Sequence, residues 1–170
     1  MDAVAGEAGV SKQTVYSHFG DKESLFAACV EDKIAQYNLE DLDDLLALDM
    51  RAALVQLCGR FLDLLMDPEV IGMFRLIISI SGEHPDMGQL FYRNGPERTT
   101  RLASAVLEAH RKNGVLALDD PLKAAGQLVD LLVGHHHRQL LLGVPADLPV
   151  AERAAHIEQT VDLFMRMYAP

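Results

Sequence analysis

Apolar residues recur at steps of three and four along this chain, and no alternating run is long enough to argue for a sheet strand. The last segment is the clearest case. Val150, Ala154, Ile157, Val161, Phe164 and Tyr168 form one stripe, with Glu152, Arg153, Glu158, Gln159 and Asp162 on the other faces. Between such stripes lie Asp67-Pro68, Gly82-Glu83-His84-Pro85, Asn94-Gly95-Pro96, Asp119-Asp120-Pro121 and Gly143-Val144-Pro145. Proline suits the first turn of a helix, where its missing N–H costs nothing. These signals predict helices near 2–8, 12–18, 22–44, 50–66, 68–81, 85–92, 96–113, 121–142 and 150–168. The fold class expected is therefore all-α. No internal repeat, low-complexity tract or flexible linker interrupts the pattern.

The N-terminal segment carries a more specific arrangement. Residues 2–8 form a short helical stretch with small residues at 3, 5 and 8, and Gly9 then supplies a stop that tolerates positive φ. Val10 is expected to plug between two helices, and Ser11 to cap a new one running from Lys12 to Phe19. Val15 and Phe19, four apart, fix the second helix on the first. This is the anatomy of a helix-turn-helix. The outer face then presents Lys12, Gln13, Thr14, Tyr16, Ser17 and His18, donors and acceptors suited to base edges and phosphate oxygens.

Charge argues the other way. The 170 residues carry a formal net charge of −10, whereas phosphate neutralisation uses clustered Lys and Arg. Residues 1–26 hold Lys12 and Lys22 against Asp2, Glu7, Asp21 and Glu23, a net of −2. Contacts to DNA must then be few and well placed, or part of a basic surface must lie outside this sequence.

The run Ala8-Gly9-Val10-Ser11-Lys12-Gln13-Thr14-Val15-Tyr16-Ser17-His18-Phe19-Gly20-Asp21-Lys22-Glu23-Ser24-Leu25-Phe26 closely resembles the helix-turn-helix signature of the TetR family. Turn, recognition helix, His-Phe-Gly hinge and the start of the next helix match without a gap. The resemblance implies that Gln13 and Thr14 read base edges or nearby phosphates. It implies that Ser11, Tyr16 and His18 grip phosphates and that Lys22 meets the backbone. Ser17 stands where many members carry a larger basic residue. The family places a helix before this motif, often rich in Arg and Lys. Here that helix would precede Met1, and loss of the segment rather than natural absence is the expectation.

The resemblance continues, more loosely, through Phe74-Arg75-Leu76 and Gly95-Pro96-Glu97-Arg98 to Val161-Asp162-Leu163-Phe164. It implies a helical ligand-binding and dimerisation bundle. The division expected is 1–44 for a helix-turn-helix DNA-binding head with its connecting helix, and 45–170 for the ligand-binding and dimerising body. Residues 121–142 are apolar on more than one face (Leu128, Val129, Leu131, Leu132, Val133, Leu140, Leu141, Leu142) and need cover on both sides. Pairing of residues 121–142 and 150–168 with a second copy provides that cover; a core helix within one chain is the alternative. Phe61, Leu65, Phe74, Ile77, Phe91, Val106 and Leu132 are candidate pocket-lining residues, with Arg75 or His136 as polar handles. A sealed core would use the same residue types.

Consecutive helical side chains point about 100° apart, so His135, His136 and His137 do not share one metal. One facing the pocket, one the interface and one solvent is the reading preferred. No nucleophile with a matching base stands out, so neither a catalytic site nor a cofactor is expected. Cys29 and Cys58 each sit inside an apolar helical pattern, lack metal-ligand spacing and read as buried free thiols in a reducing cytoplasm. No apolar run approaches the roughly 18 residues of a membrane span. The function expected is a cytoplasmic transcriptional regulator, a repressor binding a palindromic double-stranded operator as a homodimer and released by a small molecule. The alternatives are a helical ligand-binding dimer that no longer binds DNA, and an all-α metal-dependent enzyme using the histidines.

Overall fold

The computed structural model describes residues 1–111, 114, 116–145 and 149–169. Among these residues ten α-helices account for nearly all of the regular structure: α1 (Asp2–Glu7), α2 (Lys12–Phe19), α3 (Lys22–Ala35), α4 (Asp43–Leu46), α5 (Met50–Met66), α6 (Pro68–Ile80), α7 (Pro85–Tyr92), α8 (Arg98–Arg111), α9 (Pro121–Leu141) and α10 (Val150–Met167). No strand occurs among the described residues, so the fold is all-α.

The helix starts follow their caps. The Ser11, Asp21, Asp49, Asp67 and Asp120 side chains each accept from a backbone N–H of the first turn, and Pro68 and Pro121 follow their caps directly. Gly9 and Gly20 take positive φ, +65° and +81°, where the chain reverses on either side of α2.

Two predicted boundaries differ. The helix expected over 22–44 stops at Ala35, because Asn38 takes a left-handed conformation at φ +52° and turns the chain back. Leu39 and Leu45 are thereby delivered into the core. The Arg60 guanidinium holds the turn, its Nη1 donating to the carbonyls of Asn38 at 2.7 Å and Asp41 at 2.9 Å. The second difference lies at Asn94-Gly95-Pro96, where a break was expected. The chain runs on from α7 into α8 through one π turn, Arg93–Glu97. Pro96 has no N–H to give the α-helical ladder, and the register slips by one residue. Side chains take up the displaced carbonyls: Asn94 Nδ2 donates to Leu90 O at 2.8 Å, Thr99 Oγ1 to Gly95 O at 3.0 Å, and Thr100 Oγ1 to Pro96 O at 2.8 Å. The helix expected to reach 113 is described to Arg111; Lys112 and Asn113 lie outside the described residues.

α5 is the body's central helix and buries Ala53, Leu54, Leu57, Cys58, Phe61 and Leu62 against α9 and α10. Of the two thiols expected to be buried, Cys58 is, and burial pushes its pKa up to about 12; Cys29, on the outer side of α3, is instead exposed. Ion pairs along the edge fasten α10 to α5: Arg51 reaches Glu158 at 2.6 Å and Asp162 at 2.8 Å, and Arg153 meets Asp63. Of the predicted α10 stripe, Val161 and Phe164 are buried, Ile157 and Tyr168 half-buried, and Ala154 exposed. The Val150 side chain lies outside the described set.

Candidate functional site

The head is built from α1, α2 and the start of α3. α2 is pinned by Val15, which is buried, as is Ala5 of α1. Val10, expected as a plug, is exposed; its N–H closes the turn onto Ala5 O at 3.0 Å, so the backbone rather than the side chain makes the link. With Val15 inward, Ser11, Lys12, Gln13, Thr14, Tyr16, Ser17 and His18 are all exposed, as is Lys22 at the start of α3. Several of these groups already have partners. Ser11 Oγ accepts from Thr14 N at 3.0 Å and lies 2.8 Å from Thr14 Oγ1, while Ser17 Oγ donates to Thr14 O at 2.9 Å. Lys12 Nζ pairs with Asp2 at 3.0 Å in a solvent-exposed bridge of the kind that yields readily to a stronger anion. Gln13, Tyr16, His18 and Lys22 complete an outward polar face.

The body holds a cavity of about 380 Å³, within the usual size range of small-molecule sites. α3, α5, α6, α7, the π turn, α8 and α9 all contribute to its wall. Leu65, Phe74 and Phe91, singled out from sequence, lie on it. Phe61, Ile77, Val106 and Leu132 do not; they are buried within the continuous core, packed on protein atoms. His136 is also off the wall, and the next residue, His137, occupies it. One step along a helix turns a side chain by about 100°, which decides between neighbours. Arg75 serves elsewhere, its Nε donating to Leu141 O at 3.1 Å and its Nη2 to Leu140 O at the C-terminal end of α9.

Sequence reasoning missed the contribution of α3. Val30, Lys33 and Ile34 line the cavity, on the helix that begins beside α2. Lys33 Nζ lies 3.1 Å from Asp67 and 2.7 Å from Glu69, and Tyr37 donates its hydroxyl to Asp67 at 2.5 Å. Burial would raise the Asp67 carboxyl, but the Tyr37 hydroxyl, the Val70 N–H and Lys33 outweigh it and hold the pKa at about 2. Gly95 belongs to the same wall, and a Cβ there would sit 3.6 Å from Val30 Cγ1, so the π turn rests directly on α3. Arg98, one residue past that turn, bridges Glu31 at 2.7 Å and Glu40 at 2.5 Å.

The three consecutive histidines meet different surroundings, although the His135 and His136 rings remain 5.5 Å apart. His135 is exposed, His136 stacks edge-on against His156 at 5.3 Å between ring centres, and His137 meets Phe74 at 4.9 Å. Burial, then the neighbouring His156 and His135, push the His136 pKa down. Among the described residues no group of three or more His, Cys, Asp or Glu is placed to hold a metal ion. Leu131 of α9 and Leu163 and Met167 of α10 leave apolar surface exposed on the two last helices. Among the described residues no helix is long and apolar enough to cross a membrane.

Comparison with known proteins places this geometry. Residues 1–29 match the family model described as bacterial regulatory proteins, tetR family. Residues 52–170 match that of the AefR-like transcriptional repressor, C-terminal domain. A solved structure from Mesorhizobium loti MAFF303099, assigned to the TetR-family transcriptional regulators, is 32% identical with a TM-score of 0.82. The match covers 99% of this chain and 86% of that one. The flavonoid-responsive regulator FrrA is also 32% identical, with a TM-score of 0.76 over 100% of this chain and 86% of its own. A TetR transcriptional regulator from Agrobacterium tumefaciens is 25% identical, with a TM-score of 0.78 over 97% of this chain and 81% of its own. No curated protein gives a significant match. With both family models matched in order and the same helical fold in its relatives, the chain belongs to the TetR family of bacterial transcriptional regulators.

Proposed function

We propose that the protein is a repressor that binds a palindromic operator as a homodimer and lets go when a small molecule enters the body. In this reading residues 1–44 carry the DNA-binding head and its connector, and residues 45–170 the ligand-binding and dimerising body. The observation that carries the reading is the outward polar face of α2, held by Val15 and followed at once by Lys22. Gln13 and Thr14 would meet base edges. Ser11, Lys12, Tyr16, Ser17, His18 and Lys22 would meet phosphates or flank them. Pairing through α9 and α10, where Leu131, Leu163 and Met167 are exposed, would present two α2 helices to successive major grooves about 34 Å apart.

Release follows from the place of α3. It belongs to the head at Lys22 and to the cavity wall at Val30, Lys33 and Ile34. A ligand acts only through different affinities for two states, and one that displaces this wall favours a different setting of the heads. That FrrA is named as flavonoid-responsive supports a small-molecule trigger.

Electrophoretic mobility shifts on palindromic DNA, selected by the protein from a random pool, test the reading. Binding should weaken with salt. Tyr16→Ala and Lys22→Ala should each reduce affinity about tenfold across sequences, with the Lys22 change lowering the salt slope by about one. If neither substitution alters binding, the contact assignment is wrong.

A further inference from the structure

The cavity wall is polar at few points. Among the described residues its charged side chains are Lys33 and Asp130. The Lys33 ammonium is already held by two carboxylates, Asp67 at 3.1 Å and Glu69 at 2.7 Å, and Asp130 is exposed. An acidic ligand would therefore bring a further negative charge to a wall whose one cation already holds two carboxylates, and find no free partner. Such a charge, taken out of water and left unpaired, is costly. A basic ligand would have only a solvated carboxylate at the rim to meet.

His137 is different. Its Nε2 is buried without a hydrogen-bond partner, and its ring stands edge-on to Phe74, which in turn stands edge-on to Phe91 at 4.8 Å. A buried polar atom with no partner is an unmet demand that a ligand group can satisfy. Burial pushes the His137 pKa below that of an ordinary histidine, so the ring is neutral at pH 7, with one donor and one acceptor nitrogen. A hydroxyl both donates and accepts, and so serves either tautomer. A carbonyl serves one. The two phenylalanines supply faces and edges suited to an aromatic body.

Resting on the effector reading above, we infer that the cavity takes an uncharged aromatic molecule bearing a hydroxyl, which meets the imidazole of His137 while its rings pack on Phe74 and Phe91. Arylcarboxylates of the same shape are excluded.

Calorimetric titration of the chain with 2-naphthol, naphthalene and 2-naphthoate tests this. The naphthol should bind about tenfold more tightly than either of the others. His137→Phe, which keeps a ring against Phe74 and removes the orphan nitrogen, should erase the preference for naphthol over naphthalene. Equal or tighter binding of 2-naphthoate overturns the inference, as does a naphthol preference that survives His137→Phe or the failure of naphthol to bind. Gly126→Leu separates that outcome from failure of the cavity reading. Gly126 lies on the wall and a Cβ there meets nothing within 4 Å, so leucine fills the space. If Gly126→Leu abolishes binding of whichever probe does bind, the cavity stands and only its chemistry is wrong. If that probe binds the filled variant undiminished, both readings fall.

Discussion

Between Met1 and Cys29 the buried side chains are those of Ala5 and Val15, while Val4 and Val10 stand 43% and 44% exposed. From Val30 onward a single connected core runs through α3, α5, α6, α7, α8, α9 and α10, with Leu54, Leu57, Leu62, Val106 and Phe164 sealed from solvent. The two regions share a helical grammar but are held by different forces. The head depends on local devices: the Ser11 and Asp21 caps, and the two glycines at positive φ. The body depends on apolar area. Local devices contribute about 1 kcal/mol each, whereas burying a large apolar side chain contributes about 1.5–3 kcal/mol. The head should therefore open at lower free energy than the body, as segments poor in buried contacts do.

The largest effect expected is in the body. Phe61→Ala, in a core position 2% exposed, should cost about 3–5 kcal/mol in urea unfolding followed by circular dichroism. A loss under 1 kcal/mol would mean that the body is not the stable partner of the pair. Asp67→Ala, at the seam between α3 and α6, should cost about 2 kcal/mol at pH 7 through the lost α6 cap and the lost Lys33 and Tyr37 contacts. Its folded pKa of about 2 lies below the ordinary 3.8, so this stabilisation is present above pH 3.8 and disappears as pH falls towards 2. Thermal melts of parent and variant should accordingly converge over that window; parallel curves would refute the assignment.

Val15→Ala sharpens the contrast most directly. Deleting two methyl groups there should speed amide exchange in residues 1–29 by about 1.5 kcal/mol of local opening. The global urea midpoint should not move, and a shift in it would show that head and body unfold as one. Asp2→Ala is expected to change stability least. It breaks an exposed pair and leaves Lys12 unopposed, so the midpoint should stay put while DNA binding tightens several-fold in mobility shifts.

The same contrast decides what was legible in the sequence. α2 is specified by short-range chemistry: Gly9 must turn, Ser11 must cap, and Val15 must be the inward residue. All of this is written within a dozen consecutive positions. The cavity is not local. Periodicity identifies the buried face of α5 or α9 but not whether that face meets protein or space, which is why Leu65 lines the void and Phe61, one turn away, does not. His136 and His137 differ only by a rotation that depends on where α9 docks. The end of α3 was hidden because Leu39, Leu42 and Leu45 continue a three-residue step, so the pattern runs on where the chain turns at Asn38. Gly95-Pro96 reads as a stop, yet Thr99, Thr100 and Asn94 satisfy the carbonyls that let the helix slip register and continue.

The two thiols make the protein its own reporter. Alkylating reagents attack thiolates, and Cys58, sealed within α5 and pushed to about 12, offers essentially none at neutral pH. Cys29 stands in solvent one residue before the core begins at Val30. A maleimide dye or nitroxide would then settle on one position per chain, at the junction of the two regions, without any engineering. In the proposed dimer a pair of such labels would turn effector binding into a distance that can be followed in real time.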